Sequence, residues 1–234
     1  MKGGVGKTTM AVNLAWAAAK LSGRRTLLWD LDAQAAASFI LAPNRPAHDE
    51  ARAVLEREID ADALIRATGV SGLDLLPADS SLRALDTVFA EIDRKKRLRR
   101  LVEDLAQRYD RIILDCPPGL GVTSEQVIRG ASLILVPMIP SALSRRAYVE
   151  LREHLDAHHK GTSRVFPVFS MVDRRRAAHR AALEADPGCP VIPMASIVEM
   201  MADRHAAVGE YAPGSPGADA FARLWALAER QLHK

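Results

Sequence analysis

Apolar and polar positions along the chain follow two periods in alternation. Ala11, Leu14, Ala15, Ala18 and Leu21 recur at helical spacing, with Gly23 placed to stop the helix. Thr26 to Trp29 is a short apolar run followed by two acids, Asp30 and Asp32. It reads as a buried parallel strand with both carboxylates at its C-terminal rim. Being two residues apart, they share a face of an extended chain. Arg111 to Leu114 followed by Asp115 repeats that layout, and Ser132 to Val136 and Val165 to Phe169 add buried strands. Helical patterns lie between them, through Leu98, Leu101, Val102 and Leu105 and later from Leu143 to Leu155. Strand alternating with helix predicts an α/β fold: a doubly wound, mostly parallel sheet flanked by helices, with ligands at the carboxyl ends of the strands.

Composition narrows this only a little. With 234 residues and 48% hydrophobic content, residues 1–234 suit one large domain, and no Gly/Ser- or Pro-rich linker divides them. A net charge of +3, from 32 basic and 29 acidic residues, gives no overall reason to bind a polyanion. No run approaches the length of a membrane span and no signal-peptide pattern is present. Two cysteines, Cys116 and Cys189, cannot build a disulfide framework and point to a reducing cytoplasm.

The chemistry is concentrated at the start of the chain, Met1-Lys2-Gly3-Gly4-Val5-Gly6-Lys7-Thr8-Thr9. Closely spaced glycines free backbone N–H groups to converge on phosphates. Lys7 can reach the β and γ oxygens of a nucleotide, and the Thr8 hydroxyl can ligand Mg²⁺. The common pattern asks for Gly where Met1 stands, so this loop is a variant, marked by the additional Lys2. Asp115 closes an apolar strand and suits a contact to Mg²⁺ through water.

This loop resembles the deviant Walker A sequence of the ParA/MinD group of dimeric ATPases. Leu27-Leu28-Trp29-Asp30-Leu31-Asp32-Ala33-Gln34 and Ile112-Ile113-Leu114-Asp115-Cys116-Pro117-Pro118-Gly119-Leu120-Gly121 agree with further family blocks in the family's order. Ala33 departs from it, standing where Pro is usual. The resemblance implies a P-loop NTPase-type sheet, ATP and Mg²⁺ as ligands, and weak ATP hydrolysis without an activator. It implies that the loop from Gly3 through Thr9 binds nucleotide and that Lys2 crosses to the nucleotide of a partner subunit. Asp32 would orient the attacking water and Asp30 would support the Mg²⁺ and loop region. Asp115 to Gly121 would be a γ-phosphate-sensitive switch. Met171 to Asp173 after one strand, and Val191-Ile192-Pro193 after another, sit where the family cradles adenine.

A P-loop ordinarily follows a strand, and by resemblance that strand lies mid-sheet. Its loss would leave roughly ten backbone groups unpaired, at about 1–3 kcal/mol each if buried, against about 5–15 kcal/mol for a whole domain. The expectation is a first central strand missing from the sequence as given, with the natural start further upstream. The alternative is another segment or a partner chain in the gap.

The remaining clusters of basic, histidine and cysteine residues have plain structural roles as well as chemical ones. Arg94-Lys95-Lys96-Arg97 with Arg99 and Arg100 reads as the solvated face of an amphipathic helix. Arg174, Arg175, Arg176 and Arg180 are candidates for sequence-independent contacts to DNA phosphates, with Arg145 and Arg146 as possible contributors. His154 and His158 are one helical turn apart, with His159 beside them, but no third ligand accompanies them. Cys116 could suggest an iron–sulfur reductase, although a Cys before two prolines suits the partition branch. The amphipathic C-terminus, Phe221 to Leu232, is Ala-rich and suits packing on the domain better than a membrane.

The resulting expectation is a ParA-like switch. ATP closes a homodimer, the dimer binds DNA non-specifically, and a ParB-like or other adaptor triggers hydrolysis to position a plasmid, chromosome or other cargo. A cytoplasmic, nucleoid-associated location goes with it. The rivals are a MinD-like regulator at a membrane surface and an ATP-dependent amide-forming synthase.

Overall fold

Glycine ends the first helix where the sequence places it. Helix α1 (Lys7–Ser22) stops at Gly23, whose left-handed backbone (φ 61°) lets its N–H donate to the Ala18 carbonyl, satisfying an acceptor in the last turn. The computed structural model describes residues 4–42, 50–90, 97–119, 121–158 and 164–232. Lys2 and Gly3 of the loop, Arg94 to Lys96, Leu120 and His159 lie outside the described residues.

After α1 come β1 (Thr26–Asp30), α2 (Ala36–Leu41), α3 (Ala51–Glu56), β2 (Arg66–Ala67), β3 (Leu73–Leu76), α4 (Leu85–Ala90) and α5 (Arg97–Leu105). The second half holds β4 (Arg111–Asp115), α6 (Val122–Gly130), β5 (Leu133–Met138), α7 (Ala142–His158), β6 (Arg164–Val172), α8 (Ala177–Ala185) and β7 (Val191–Pro193). Three single-turn helices, α9 (Ser196–Glu199), α10 (Met201–Arg204) and α11 (Val208–Tyr211), lead to α12 (Pro216–Leu232). The strands form two sheets, β2-β3-β1-β4 and β5-β6-β7. Every pairing is parallel except β2 with β3.

Period-two alternation sorts the core into layers. Leu28 of β1 and Ile113 of β4 face α1 and α12. Leu27, Trp29, Ile112 and Leu114 face the opposite layer, built from α3, α5 and α6. α12 buries Phe221, Leu224, Trp225 and Ala228. Its Trp225 Nε1 donates to Ser22 Oγ at 2.7 Å, and Glu229 pairs with both Arg24 and Arg111. The apolar stripe of the C-terminal helix therefore packs on the domain, as its composition suggests. Among the described residues no helix is long and apolar enough to cross a membrane.

The structure corrects several expectations. Arg111 to Leu114 and Leu133 to Leu135 are half-buried rather than buried, as are Val165 to Pro167. For β4 and β5 the reason is the break between the sheets, where their edges flank a cleft of about 450 Å³. Strand β1 ends at Asp30, so Asp32 belongs to the following loop and the shared strand face does not exist. Val191 to Pro193 is itself a strand, not a segment following one. Leu21 and Leu143 keep helical spacing yet are 53% and 70% exposed.

Candidate nucleotide site

The phosphate loop is shaped by two left-handed glycines. Gly4 has φ 76° and Gly6 φ 90°, conformations an L side chain adopts only with strain. A Cβ on Gly6 would also come within 2.9 Å of Ser170 Oγ at the end of β6. Val5 between them is buried and anchors the loop. Gly6 caps α1, with no side-chain bond at the cap and no acid in the first turn. The first-turn amides are thus left facing outward at the positive end of the helix dipole, a setting that favours an anion. Lys7, Thr8 and Thr9 occupy that turn, half-buried.

Asp115 ends β4 opposite this turn, its Cα paired in register with Asp30 of β1. It is 1% exposed, and neither carboxylate oxygen has a hydrogen-bond partner among the described residues. The Thr8 hydroxyl lies close enough to act on it electrostatically. Burial pushes its pKa up to about 7; Thr8 opposes the rise, Asp30 and Asp32 add to it, and Lys7 opposes it. A buried carboxylate held without partners beside a threonine hydroxyl fits a hard, oxygen-seeking cation such as Mg²⁺.

Asp30 is differently employed. It accepts from the Ser38 N–H at 2.9 Å, the Ser38 hydroxyl at 2.8 Å and the Asp32 N–H at 3.1 Å. Burial raises its pKa and these bonds oppose that rise. It therefore ties the loop after β1 to α2. Asp32 is half-buried, accepts from the Gln34 N–H at 3.0 Å, and shares a second cleft with Pro117, Pro118 and Gly121 of the candidate switch.

Asp86 of α4, at that cleft, was not found from the sequence. It accepts from the Thr123 N–H at 2.9 Å and the Thr123 hydroxyl at 2.7 Å, capping α6 from a separate element. Ser38 and Ser170 were missed as well. None of the three belongs to a spaced motif; only the fold brings them to the rim.

The adenine candidates are brought together. Met171 sits in β6 with φ 55°, where the register against β7 shifts between Phe169 and Val172, and Val172 pairs with Pro193. The Asp173 carboxylate is bound by Arg175 Nε and Nη2 at 2.9 and 3.1 Å, which holds its pKa down at about 2. Its N–H donates to His179 Nδ1 at 3.0 Å.

Arg174, Arg175, Arg176 and Arg180 are all exposed but not equivalent. Arg175 is engaged by Asp173, and Arg180 Nη1 donates to the carbonyls of Arg174 and Arg175 at 3.0 and 2.8 Å. Of the other basic run, Arg97 donates to the carbonyls of Leu55 and Glu56 and Arg99 pairs with Glu103 at 2.8 Å. Arg146 pairs with Glu150 at 2.8 Å. His154 bonds Glu125 at 2.6 Å, and no group of three potential metal ligands occurs among the described residues. Burial pushes the Cys116 thiol up to about 12 and the Cys189 thiol up to about 11, so neither is a ready thiolate.

A glycine loop opening a helix over parallel strands, with a strand-end carboxylate facing its threonine, defines a P-loop NTPase. Residues 1–165 match the AAA_31 family, described as an AAA domain. The chain belongs to that family, on the ParA side of the ParA/MinD group of P-loop ATPases. It is 34% identical over 140 residues to the chromosome-partitioning ATPase Soj of Treponema pallidum, covering 58% of this chain and 53% of that one. The chain spans about half the length of the curated relatives it matches. Among solved structures, the septum site-determining protein MinD of Pyrococcus horikoshii, complexed with Mg-ADP, superposes with TM-score 0.81 at 22% identity, over 99% of this chain and 93% of that one. Cobyrinic acid a,c-diamide synthase of Mycobacterium smegmatis, with bound ATP analogue and magnesium, gives TM-score 0.79 at 26% identity, over 99% and 92%.

Proposed function

We propose that this chain is an ATP-driven switch of the partition type. It would dimerise with ATP, bind DNA without sequence preference, and hydrolyse ATP slowly until an adaptor protein of the ParB kind accelerates it. A cytoplasmic, nucleoid-associated location follows from that role. The observation that carries the nucleotide chemistry is the partnerless Asp115 carboxylate beside Thr8 and Lys7 at the start of α1. The ParA-side relatives support the partition role.

The first-turn amides of α1 and the Lys7 ammonium hold the phosphates. Thr8 and Asp115 would hold Mg²⁺, and the ion would supply positive charge that offsets the charge of the phosphates. Asp32 orients the attacking water, and Lys2 contacts the partner's nucleotide. Asp30 acts indirectly, by fixing the loop that carries Asp32. Slow intrinsic turnover is expected where transition-state charge is incompletely neutralised before an activator arrives. Phosphate release from Mg-ATP tests this reading: it should be slow, magnesium-dependent and absent in Lys7→Ala. Release at the wild-type rate in Lys7→Ala would overturn it.

The likeness to the diamide synthase favours a second reading, an ATP-using amide-forming enzyme. Phosphate release stimulated by duplex DNA without a carboxylic acid acceptor separates the switch from such a synthase. A MinD-like membrane role fits less well, because α12 buries its apolar stripe against the domain.

A further inference from the structure

A short 3₁₀ helix, Ser80–Ala84, joins β3 to α4 and brings Arg83 to the cleft that Asp32 shares with Pro117, Pro118 and Gly121. Its backbone is firmly held. Buried Asp79 caps it, accepting from the Ser81 N–H at 2.9 Å, and ties it to α3 by accepting from the N–H groups of Glu50 and Ala51 at 3.0 and 2.8 Å. Leu82 and Leu85, on either side of Arg83, are buried. The Arg83 side chain is by contrast exposed, with no hydrogen bond or ion pair among the described residues. It is also the one cationic group lining the cleft among those residues.

Two carboxylates line the same cleft, Asp32 and Asp86. One guanidinium against two carboxylates leaves the cleft net negative, so a free anion such as released phosphate is not its natural occupant. The guanidinium serves a carboxylate instead. Asp86 is already provided for: one oxygen accepts twice from Thr123, at the positive end of α6. Asp32 is half-buried, its Oδ1 accepts from the Gln34 N–H, and its Oδ2 accepts nothing among the described residues. With less water around it, Asp32 gains more from a cation than exposed Asp86 does. The cleft holds about 180 Å³, so a change of rotamer in a long side chain bridges it.

We propose that Arg83 is a positioning residue for hydrolysis, bonding the free Oδ2 of Asp32 in the nucleotide-bound state and so fixing the carboxylate that orients the attacking water. The inference rests on the reading of Asp32 as that carboxylate. Arg83 acts through Asp32 and not on the phosphates, so it governs turnover and leaves nucleotide affinity alone. A planar guanidinium fork matches a carboxylate in a way that an ammonium does not.

Single-turnover phosphate release from Mg-ATP, with the whole chain in excess, tests this in wild type, Arg83→Ala, Asp32→Ala and the double variant. Arg83→Ala should release phosphate roughly ten- to a hundredfold more slowly, bind Mg-ATP with wild-type affinity, and melt within about 2 °C of wild type because the side chain is exposed. Guanidinium chloride below denaturing concentration should restore part of the rate, and sodium chloride should not. In the Asp32→Ala background the Arg83 change should cost no more than about twofold, since the two residues act as a unit. Turnover in Arg83→Ala at or above the wild-type rate, a matching loss of Mg-ATP affinity, recovery equalled by sodium chloride, or full additivity with Asp32→Ala would overturn the proposal and leave Asp32 in its role. Wild-type turnover in Asp32→Ala would overturn both.

Discussion

The Asp86 carboxylate accepts two hydrogen bonds from Thr123, 2.9 Å from its N–H and 2.7 Å from its hydroxyl. Thr123 lies in the first turn of α6, so an acid on α4 caps the helix that follows the candidate switch. Gly121 makes this approach possible, since a Cβ there would stand 2.4 Å from Asp86 Oδ2. Asp86→Ala should lose about 1–2 kcal/mol, lowering Tm by roughly 2–8 °C. Gly121→Ala should act in the same direction by displacing Asp86. Melting within a degree of wild type for both variants would show that this cap contributes nothing.

Asp115 sets a pH dependence. Its folded-state pKa is raised to about 7 from an ordinary 3.8, so the folded protein without Mg²⁺ binds a proton that the unfolded chain releases between those values. Stability should therefore rise as pH falls from about 7 toward 4, with an apolar-burial cost of the order of 4 kcal/mol fully present above pH 7. Asp115→Asn removes the charge. It should melt above wild type at pH 8 and lose that advantage by pH 5, while losing the extra stabilisation that Mg²⁺ gives with nucleotide. An advantage equal at both pH values would contradict the assignment.

The alternation of apolar runs made the sheet legible, and the glycine loop made the site legible, because both depend on local spacing. The strand Leu73–Leu76 was not legible: four residues between Gly72 and Pro77 are too short for periodicity to declare. Asp30 stands at the rim that the spacing predicts, but the strand stops two residues short of Asp32. Asp86, Ser38 and Ser170 act across sequence separations of 37, 40 and more residues, where no spacing rule reaches. The arginine cluster was visible as composition, yet only the geometry divides it into engaged and outward-facing members.

That division gives a DNA prediction. Arg175 is engaged by Asp173, whereas Arg174 and Arg176 carry no side-chain bond among the described residues. Each neutralised phosphate contributes about 0.9 to the slope of log affinity against log salt. Replacing Arg174 and Arg176 by alanine removes about four contacts from a dimer and should flatten the slope by roughly 3–4. Filter binding over a salt series, with ATP and with ADP, measures it. An unchanged slope would move the DNA surface elsewhere.

Asp32→Ala should retain ATP and stall hydrolysis, because the phosphate-holding groups of α1 are untouched while water loses its orienting carboxylate. Sizing by light scattering with Mg-ATP should show a persistent dimer. Wild-type turnover in this variant would return Asp32 to its role as acceptor for the Gln34 N–H.

The most direct test is calorimetric titration of Mg-ATP into wild type and Lys7→Ala, each with and without a chelator. One saturable site per chain is expected in the wild type, weakened by chelation and lost in Lys7→Ala. Wild-type affinity in Lys7→Ala, or no binding by the wild type, would contradict a nucleotide site at the start of α1.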